Sequence, residues 1–195
     1  MATDEEPPEP IVEVDGDTLQ AVQGIVRIVT GVDWFVALGA PLPAAAHGDA
    51  DAYLSALGFS DLRVVPILDW QEARTALEHR AWDSAWADAE DQARSALAAE
   101  ALYRSGEDVV GAAVGYVSEK AHTLAMDTLQ GVAGLLGGDP DLIEAAATDA
   151  RDAACQALLV ALSESGADHP LALKFRLFEA GRWPIGAVGS SFNLF

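Results

Sequence analysis

The sequence predicts a mainly α-helical protein, a compact bundle of about six or seven helices with small side chains between them. Apolar residues recur at three- and four-residue spacing between residues 17 and 180, as they do on the buried face of an amphipathic helix. Glycines and Asp-Pro or Asp-x-Pro sequences separate these stretches by short loops. Because 51% of the 195 residues are apolar, the chain can fill one sizeable core. We expect a single helical domain over residues 17–195.

Capping residues predict where the helices begin and end. Asp17 or Thr18 is the expected cap of the first helix, which ends at Gly31. Asp69 and Glu72 form a capping box before a helix over residues 70–80. The other helical segments are expected at residues 34–38, 49–57, 83–105 and 108–136, with two more that start at Asp139 and Asp168.

Two of these helices have unusual faces. On the segment 108–136, Gly111 and Gly115 lie on one flank, and each glycine destabilises a helix by about 1 kcal/mol relative to alanine. Close packing of a neighbouring helix or a local kink is the expected compensation. The helix after Asp168 has apolar residues on two sides, which predicts a position in the centre of the fold.

One internal stretch favours extended structure. Residues 62–68 are rich in β-branched side chains, but they include Pro66, which cannot donate a hydrogen bond to a neighbouring strand. We expect an extended connector or an edge strand, which could pair with part of the C-terminal tail as a short two-stranded ribbon.

The C-terminal tail, residues 181–195, is apolar and contains glycines and a proline that prevent a helix. The candidates for a binding surface in and beside it are the aromatic Trp183, Phe192 and Phe195 and the basic Arg176 and Arg182. If the rings are exposed, they form a patch large enough to mark a binding site. If they are buried, they attach the last helix to the bundle. We favour burial, because an exposed apolar terminus invites proteolysis and aggregation.

The N-terminal segment, residues 1–16, has the composition of a disordered chain. It contains six acidic residues, three prolines and no basic residue, so it can bury too little apolar surface to order itself. We expect an acidic flexible arm. The segment also lacks the basic residues and the apolar run of a targeting signal, which predicts a cytoplasmic location.

The formal net charge of −20, from 31 acidic and 11 basic residues, limits the possible partners. A field of this sign repels nucleic acid and anionic membranes, and it speeds encounter with a protein that has a basic surface. The most apolar long stretch, residues 109–136, contains charged side chains, so no membrane span is expected. Three sources of the acidity stay open: adaptation to a salty cytoplasm or a coding bias, capture of a cationic protein, and DNA mimicry.

Glu100 is the candidate catalytic residue. It falls on the predicted apolar stripe of the segment 83–105, among residues such as Ala96 and Tyr103, where a carboxylate should not be left without a partner. Arg104, one turn later, or partial exposure would satisfy it structurally. The functional alternative is a general acid or base in a pocket, with His79 within reach.

The sequence predicts neither a metal site nor a cofactor. Glu119 and His122 have the i, i+3 spacing of a carboxylate-bridged metal site, but such sites need a second copy of this pair. Cys155 lies beside leucines on its helix and has no histidine within a turn, so a packed, unreactive thiol is expected.

Three functional hypotheses follow. The leading one is a non-enzymatic helical protein that binds another protein with a basic surface, using its acidic field for steering. The second is an enzyme or small-molecule binder with a pocket near Glu100. The third is a DNA mimic with carboxylates at the spacing of duplex phosphates.

Overall fold

The computed structural model describes residues 14–80, 84–136 and 139–195, and within them the side chains of all residues except 133–136. This part of the chain is mainly helical, which confirms the predicted fold class. The helices are α1 (Gly16–Gly31), α2 (Ala44–Ala56), α3 (Trp70–Glu78), α4 (Ala85–Ser105), α5 (Glu107–Leu136), α6 (Pro140–Leu162) and α7 (Pro170–Glu179). The strands are β1 (Arg63–Pro66), β2 (Pro184–Val188) and β3 (Ser191–Leu194).

Residues 1–13, which make up most of the predicted acidic arm, lie outside the described residues. The end of that segment is ordered, because Gly16 is the first residue of α1. Among the helices described here, none has both the length and the hydrophobicity needed to cross a bilayer.

Two predicted helix caps are wrong by one or a few residues. The N-cap of α1 is Asp15 rather than Asp17 or Thr18, because its carboxylate accepts hydrogen bonds from the backbone amides of both. The N-cap of α7 is His169 rather than Asp168, and its Nδ1 accepts from the amide of Leu171 at 3.2 Å.

Other boundary predictions are closer. Asp69 caps α3, as the capping box predicts, by accepting from the amide of Glu72. The Glu72 carboxylate accepts from the amide of Leu68, one residue earlier than the motif requires. The predicted helix at 34–38 is wrong: this segment is a series of turns, and Phe35 has a φ of 60°. Helix α2 begins at Ala44, five residues before the predicted start at Asp49.

Helix α6 lies at the centre of the bundle. It contacts α1, α4, α5 and α7, and 13 of its 23 residues are buried. Most of the buried residues on its first four turns are alanines, which allow the neighbouring helices to approach closely.

The expected close packing at Gly111 and Gly115 is wrong. Both glycines are on the exposed side of α5, and a Cβ built on either would meet nothing within 4 Å. Helix α5 faces the core with a different stripe, whose buried members are Val110, Ala113, Val117, Ala121, Ala125 and Leu129.

Helix α7 joins two hydrophobic clusters, which confirms its predicted central position. One side, with Leu171, Phe175 and Phe178, packs into the main helical core. The other side, with Leu173 and Leu177, packs into a second cluster between α2, α4 and the strands. Lys174 lies between the two sides.

The tail completes a three-stranded sheet rather than a two-stranded ribbon. Strands β2 and β3 form an antiparallel hairpin, and β1 pairs with β3 in parallel, with Val64 opposite Phe192. The predicted pairing of residues 62–68 with the tail is therefore confirmed. Just before β2, Arg182 donates to the carbonyls of Ala40 and Pro41, at 2.7 Å each, and so fixes the turns after α1 to the tail.

Candidate functional site

A cavity of about 630 Å³ lies between α4, α6 and α7, where the two hydrophobic clusters meet. Part of its wall is apolar and includes Trp86, Val114 and Leu159. The remainder carries charged and polar side chains from α4, α6, α7 and the end of the α3 segment: Arg80, Asp88, Glu90, Asp91, Arg94, Thr148, Asp149, Asp152, Gln156 and Lys174. Its volume is in the range of small-molecule sites, which is about 300–1,000 Å³.

Glu90 and Lys174 form a buried ion pair on one side of the cavity. The side chain of Glu90 on α4 is 13% exposed and that of Lys174 on α7 is 9% exposed, and Lys174 Nζ donates to Glu90 Oε1. Tyr53 of α2 donates from its hydroxyl to the other carboxylate oxygen, Oε2, at 2.5 Å. Both oxygens of Glu90 therefore have a donor inside the protein.

These contacts determine the protonation states of the group. Burial raises the pKa of the Glu90 carboxyl, but the charge of Lys174 and the hydrogen bonds from Lys174 and Tyr53 lower it by more, so its pKa lies below the ordinary value. Burial and the neighbouring charge of Glu90 raise the pKa of Tyr53 well above its ordinary value. At neutral pH the carboxyl is ionised and the phenol keeps its proton.

A second ion pair links the cavity to the tail. Arg80 Nη1 lies 3.3 Å from Asp149 Oδ2, and the guanidinium lies over the ring of Trp86, 5.9 Å from its centroid. The indole Nε1 of Trp183 donates to the same Asp149 oxygen at 2.9 Å. Gly186 of β2 allows this arrangement, because a Cβ there would lie 3.1 Å from Arg80 Nε.

Gln156 of α6 has an unsatisfied oxygen. The residue is 6% exposed and lines the cavity, and its Oε1 has no hydrogen-bond partner among the described residues. Leaving a buried acceptor unpaired destabilises a protein by about 1–3 kcal/mol. The oxygen has almost no accessible surface, so it is packed against the protein rather than open to the cavity.

Cys155 also lines the cavity, next to Gln156. Burial and the charge of Asp152 raise the pKa of its thiol to about 11. The thiol stays protonated at neutral pH and lies 3.8 Å from the carbonyl oxygen of Val114. This agrees with the unreactive thiol expected from the sequence.

The predicted candidates Glu100 and His79 do not line this cavity. Glu100 is exposed at the end of α4, where Arg104 Nε donates to its Oε1 at 2.7 Å. His79 is exposed as well, with Nδ1 2.8 Å from the carbonyl oxygen of Thr75. The ion pair of Glu100 with Arg104 is the structural explanation that the sequence left open for this carboxylate.

The tail candidates are mostly in the interior. Trp183, Phe192 and Phe195 are at most 1% exposed, which is the alternative favoured from the sequence, so these rings form no surface patch. Arg182 is buried against the turns after α1. Arg176 donates to the carbonyl of Ala167 on the surface, at 3.1 Å.

The described residues contain no group of three or more histidine, cysteine, aspartate or glutamate side chains arranged to hold a metal ion. Glu119 is exposed, and His122 points to a different carboxylate, with Nε2 3.9 Å from Glu144 Oε1. In this part of the chain, Glu119 and His122 therefore do not form a metal site with other side chains.

Glu90, Lys174 and Gln156 are the site residues that sequence reasoning missed. The buried face of α4 follows Trp86, Ala93, Leu97 and Ala101, and Glu90 lies within it, whereas the predicted stripe included Tyr103, which is 87% exposed. Starting the stripe from Trp86 and counting in steps of three and four would have identified Glu90 as the buried carboxylate.

No protein-family model matches the chain, and no curated protein or solved structure is significantly similar to it. Any functional assignment therefore depends on the cavity and its side chains.

Proposed function

We propose that this protein binds a small polar molecule in the cavity between α4, α6 and α7. The observation that carries the proposal is a cavity of about 630 Å³ whose wall holds the buried ion pair of Glu90 and Lys174 and the polar side chain of Gln156. The sequence placed a possible small-molecule site near Glu100. We now propose that site at the opposite end of α4.

The charged network supports the same proposal. Taking Glu90 and Lys174 out of water is costly, and apolar residues of similar volume at such positions are often neutral or stabilising. Arg80 and Asp149 repeat this arrangement across the cavity. Two such pairs around one cavity favour a role in recognising polar groups.

The geometry favours binding over catalysis. Glu90 is ionised, and the donors Lys174 and Tyr53 on its two oxygens keep its pKa below the ordinary value, so it is a weak base toward a substrate. Cys155 is protonated and therefore a poor nucleophile. The groups around the cavity hold fixed charges and hydrogen bonds, as a recognition site requires.

A thermal-shift screen of small amines, acids, alcohols and sugars tests this proposal. Ala98→Phe places a ring in the cavity wall, whereas Ala99→Phe makes the same change at the neighbouring exposed position outside the cavity. We expect compounds that raise the Tm of the unmodified protein and of Ala99→Phe but not of Ala98→Phe, since only ligands that bind the folded state stabilise it. Equal stabilisation of the two variants would contradict binding in this cavity.

A second candidate function, binding of a protein with a basic surface, is favoured by a different observation. The net charge is −20, and Tyr103, an aromatic residue typical of interaction sites, is 87% exposed on α4 next to the half-exposed Leu102. A pull-down from native lysate at low and high salt, with the unmodified protein and Tyr103→Ser as baits, tests it. A stoichiometric partner that is lost both at high salt and with the variant supports this function, and its absence at low salt contradicts it.

A further inference from the structure

We infer that an exposed apolar patch, at the place where α1 begins and α4 ends, binds a cationic amphipathic segment of a partner protein. The inference deepens the second candidate function, on which it rests, because it names the surface and the chemistry of the partner. It does not depend on the cavity between α4, α6 and α7.

Four exposed apolar side chains make up this surface, which we call the corner patch. They are Val14, Leu19, Leu102 and Tyr103, with exposed fractions of 42%, 48%, 42% and 87%. In the part of the chain that the structure describes, eight large hydrophobic residues are exposed, so half of them belong to this patch. Single exposed apolar residues are normal, whereas a cluster of them marks an interaction site.

A contact between two helix ends brings the corner patch together. Thr18 Oγ1 of α1 lies 3.2 Å from Ser105 Oγ of α4. Leu19 follows Thr18 directly, and Leu102 lies one turn before Ser105. The two leucines therefore border the same contact between α1 and α4.

Local structure explains only half of the corner patch. Val14 precedes the N-cap of α1 and Leu19 is the fourth residue of the helix, which are the positions of a hydrophobic staple. No capping role of this kind accounts for Leu102 and Tyr103. Tyrosine is also enriched among the residues that contribute most to binding between proteins.

The corner patch lies among carboxylates. Residues 14–19 and 100–108 contain five acidic side chains and one basic side chain, Arg104. Arg104 is already paired, because its Nε donates to Glu100 Oε1 at 2.7 Å and its Nη1 lies 3.0 Å from Glu164 Oε2. The other four carboxylates, two at the start of α1 and two at the start of α5, are Asp15, Asp17, Glu107 and Asp108.

This charge determines which partner fits. A second copy of the chain would bring a further net charge of −20, and residues 1–13, which precede Val14, carry five acidic residues and no basic one. Anionic membranes and nucleic acid are repelled for the same reason. A helix with lysines or arginines beside an apolar face can bury the patch and attract its carboxylates, as in other complexes of amphipathic helices.

Fluorescence anisotropy with three labelled peptides tests the inference. Two have the same leucine and lysine composition: one has its leucines on a single helical face, and the other has them spread around the helix. The third is the amphipathic peptide with glutamate in place of lysine. We expect the amphipathic lysine peptide to bind at least about tenfold more tightly than the reordered peptide, and the glutamate peptide not to bind.

Matched variants identify the surface that the peptide occupies. We expect Leu102→Ser and Tyr103→Ser each to weaken the amphipathic lysine peptide about tenfold. Val36→Ser, at a position that is 69% exposed in the turns after α1, is the control and should leave the affinity unchanged. All three positions are exposed, so the variants should fold, and thermal melts check this.

A second pair of variants separates the local carboxylates from the overall charge. Asp108→Asn and Asp127→Asn each remove one charge from an exposed position of α5, roughly 28 Å apart along the helix. We expect the first to weaken the peptide about two- to threefold and the second to have a smaller effect.

Equal affinity of the two lysine peptides, no binding of the amphipathic one, or equal losses in Tyr103→Ser and Val36→Ser would each overturn the inference. If the pull-down at low salt still captures a stoichiometric partner in that case, the second candidate function stands with another surface. If the pull-down captures none and no peptide binds, both fail.

Discussion

Glu90 and Lys174 are charged side chains that the fold removes from water, and each is compensated by the other. Tyr53 donates to the second oxygen of Glu90, so removing the lysine would leave a buried carboxylate with a single hydrogen bond. Glu90, Lys174 and Tyr53 are therefore candidates for ligand recognition, and substitutions of them should lower the stability of the fold.

We expect Lys174→Met to lower the free energy of unfolding by about 3–5 kcal/mol, because it leaves the charge of Glu90 buried without a counter-ion. Lys120→Met, at a partly exposed position of α5 where the lysine has no ion pair with the described residues, is the matched control and should change stability by less than about 0.5 kcal/mol. Urea denaturation at neutral pH measures both. The double variant Glu90→Leu/Lys174→Met should lose less than the sum of the single variants, and strict additivity would contradict the buried pair.

His169 is a pH-sensitive helix cap. Its Nδ1 must be unprotonated to accept from the amide of Leu171, and burial lowers the pKa of the imidazole. A lowered pKa in the folded state means that the contribution of His169 is present above the unfolded-state pKa, about 6.5, and is lost as the pH falls through the folded-state value.

The variant His169→Asn keeps a capping side chain that does not titrate. We expect the unmodified protein to lose stability relative to this variant as the pH falls from about 7.5 to about 5, by up to the value of a cap, about 0.5–2 kcal/mol. Urea midpoints at several pH values check this. Parallel pH profiles for the two proteins would show that His169 does not cap α7 through Nδ1.

At the residue scale, physical reasoning from the sequence found the right kind of residue in the wrong place. A carboxylate on the apolar face of α4 must have a partner, and this holds for Glu90, whereas Glu100 is exposed beside Arg104. The two differ by ten residues, so their side chains lie about 80° apart around the helix, and an error of that size in the direction of the buried face exchanges one for the other.

At the scale of single elements, the glycines of α5 are the clearest departure from expectation. The sequence pattern of Gly111 and Gly115 resembles a close-packing motif, but the structure leaves both facing open space. The pattern of small residues cannot show which side of a helix meets its neighbours. The alanines of α6 perform that packing instead.

We expect Gly111→Ala and Gly115→Ala each to raise the free energy of unfolding by about 0.5–1 kcal/mol, since alanine is the better helix former and has room at both positions. Gly39→Ala is the opposite case: its φ is +69° and a Cβ there would lie 2.7 Å from the carbonyl oxygen of Leu68, so it should destabilise. Thermal and urea unfolding of the three variants measure the effects. Loss of stability in both α5 variants would mean that a partner surface packs there.

Helix boundaries were predictable to the extent that they depend on local contacts. Asp69 and Asp139 cap α3 and α6 as the sequence indicates, because a side chain and the next few amides decide such a cap. The turns around Phe35 were not predictable, because that segment is held by distant contacts, such as the hydrogen bond from the amide of Ala37 to the carbonyl of Gly181.

At the scale of the whole molecule, the helical class and the burial of the aromatic tail follow from composition and periodicity, but the assembly of the site does not. The parallel pairing of β1 with β3 joins residues more than 120 positions apart, with Arg63 opposite Ser191. The cavity likewise takes its polar groups from α4, α6, α7 and Arg80. No local pattern in the sequence brings Glu90 and Lys174 together.

The net charge of −20 also acts on the molecule as a whole. We expect the Tm to rise when the ionic strength is increased from about 0.01 M to about 0.5 M, because shortening the Debye length from about 30 Å reduces repulsion between carboxylates. A series of thermal melts in NaCl measures this. A Tm that falls with salt would show that attractive ion pairs outweigh the general repulsion.

The indole N–H signals of the tryptophans offer the most direct test of the central claim that the cavity binds a small molecule. Trp86 lines the cavity, and Trp183 donates to Asp149 in its wall, whereas Trp34 donates to the carbonyl of Val29 in the main core. In a titration with a compound that raises the Tm of the unmodified protein and of Ala99→Phe but not of Ala98→Phe, followed by ¹H–¹⁵N correlation spectra, we predict saturable shifts of the Trp86 and Trp183 signals and an unchanged Trp34 signal. Stationary Trp86 and Trp183 signals, or equal shifts of all three, would contradict binding in this cavity.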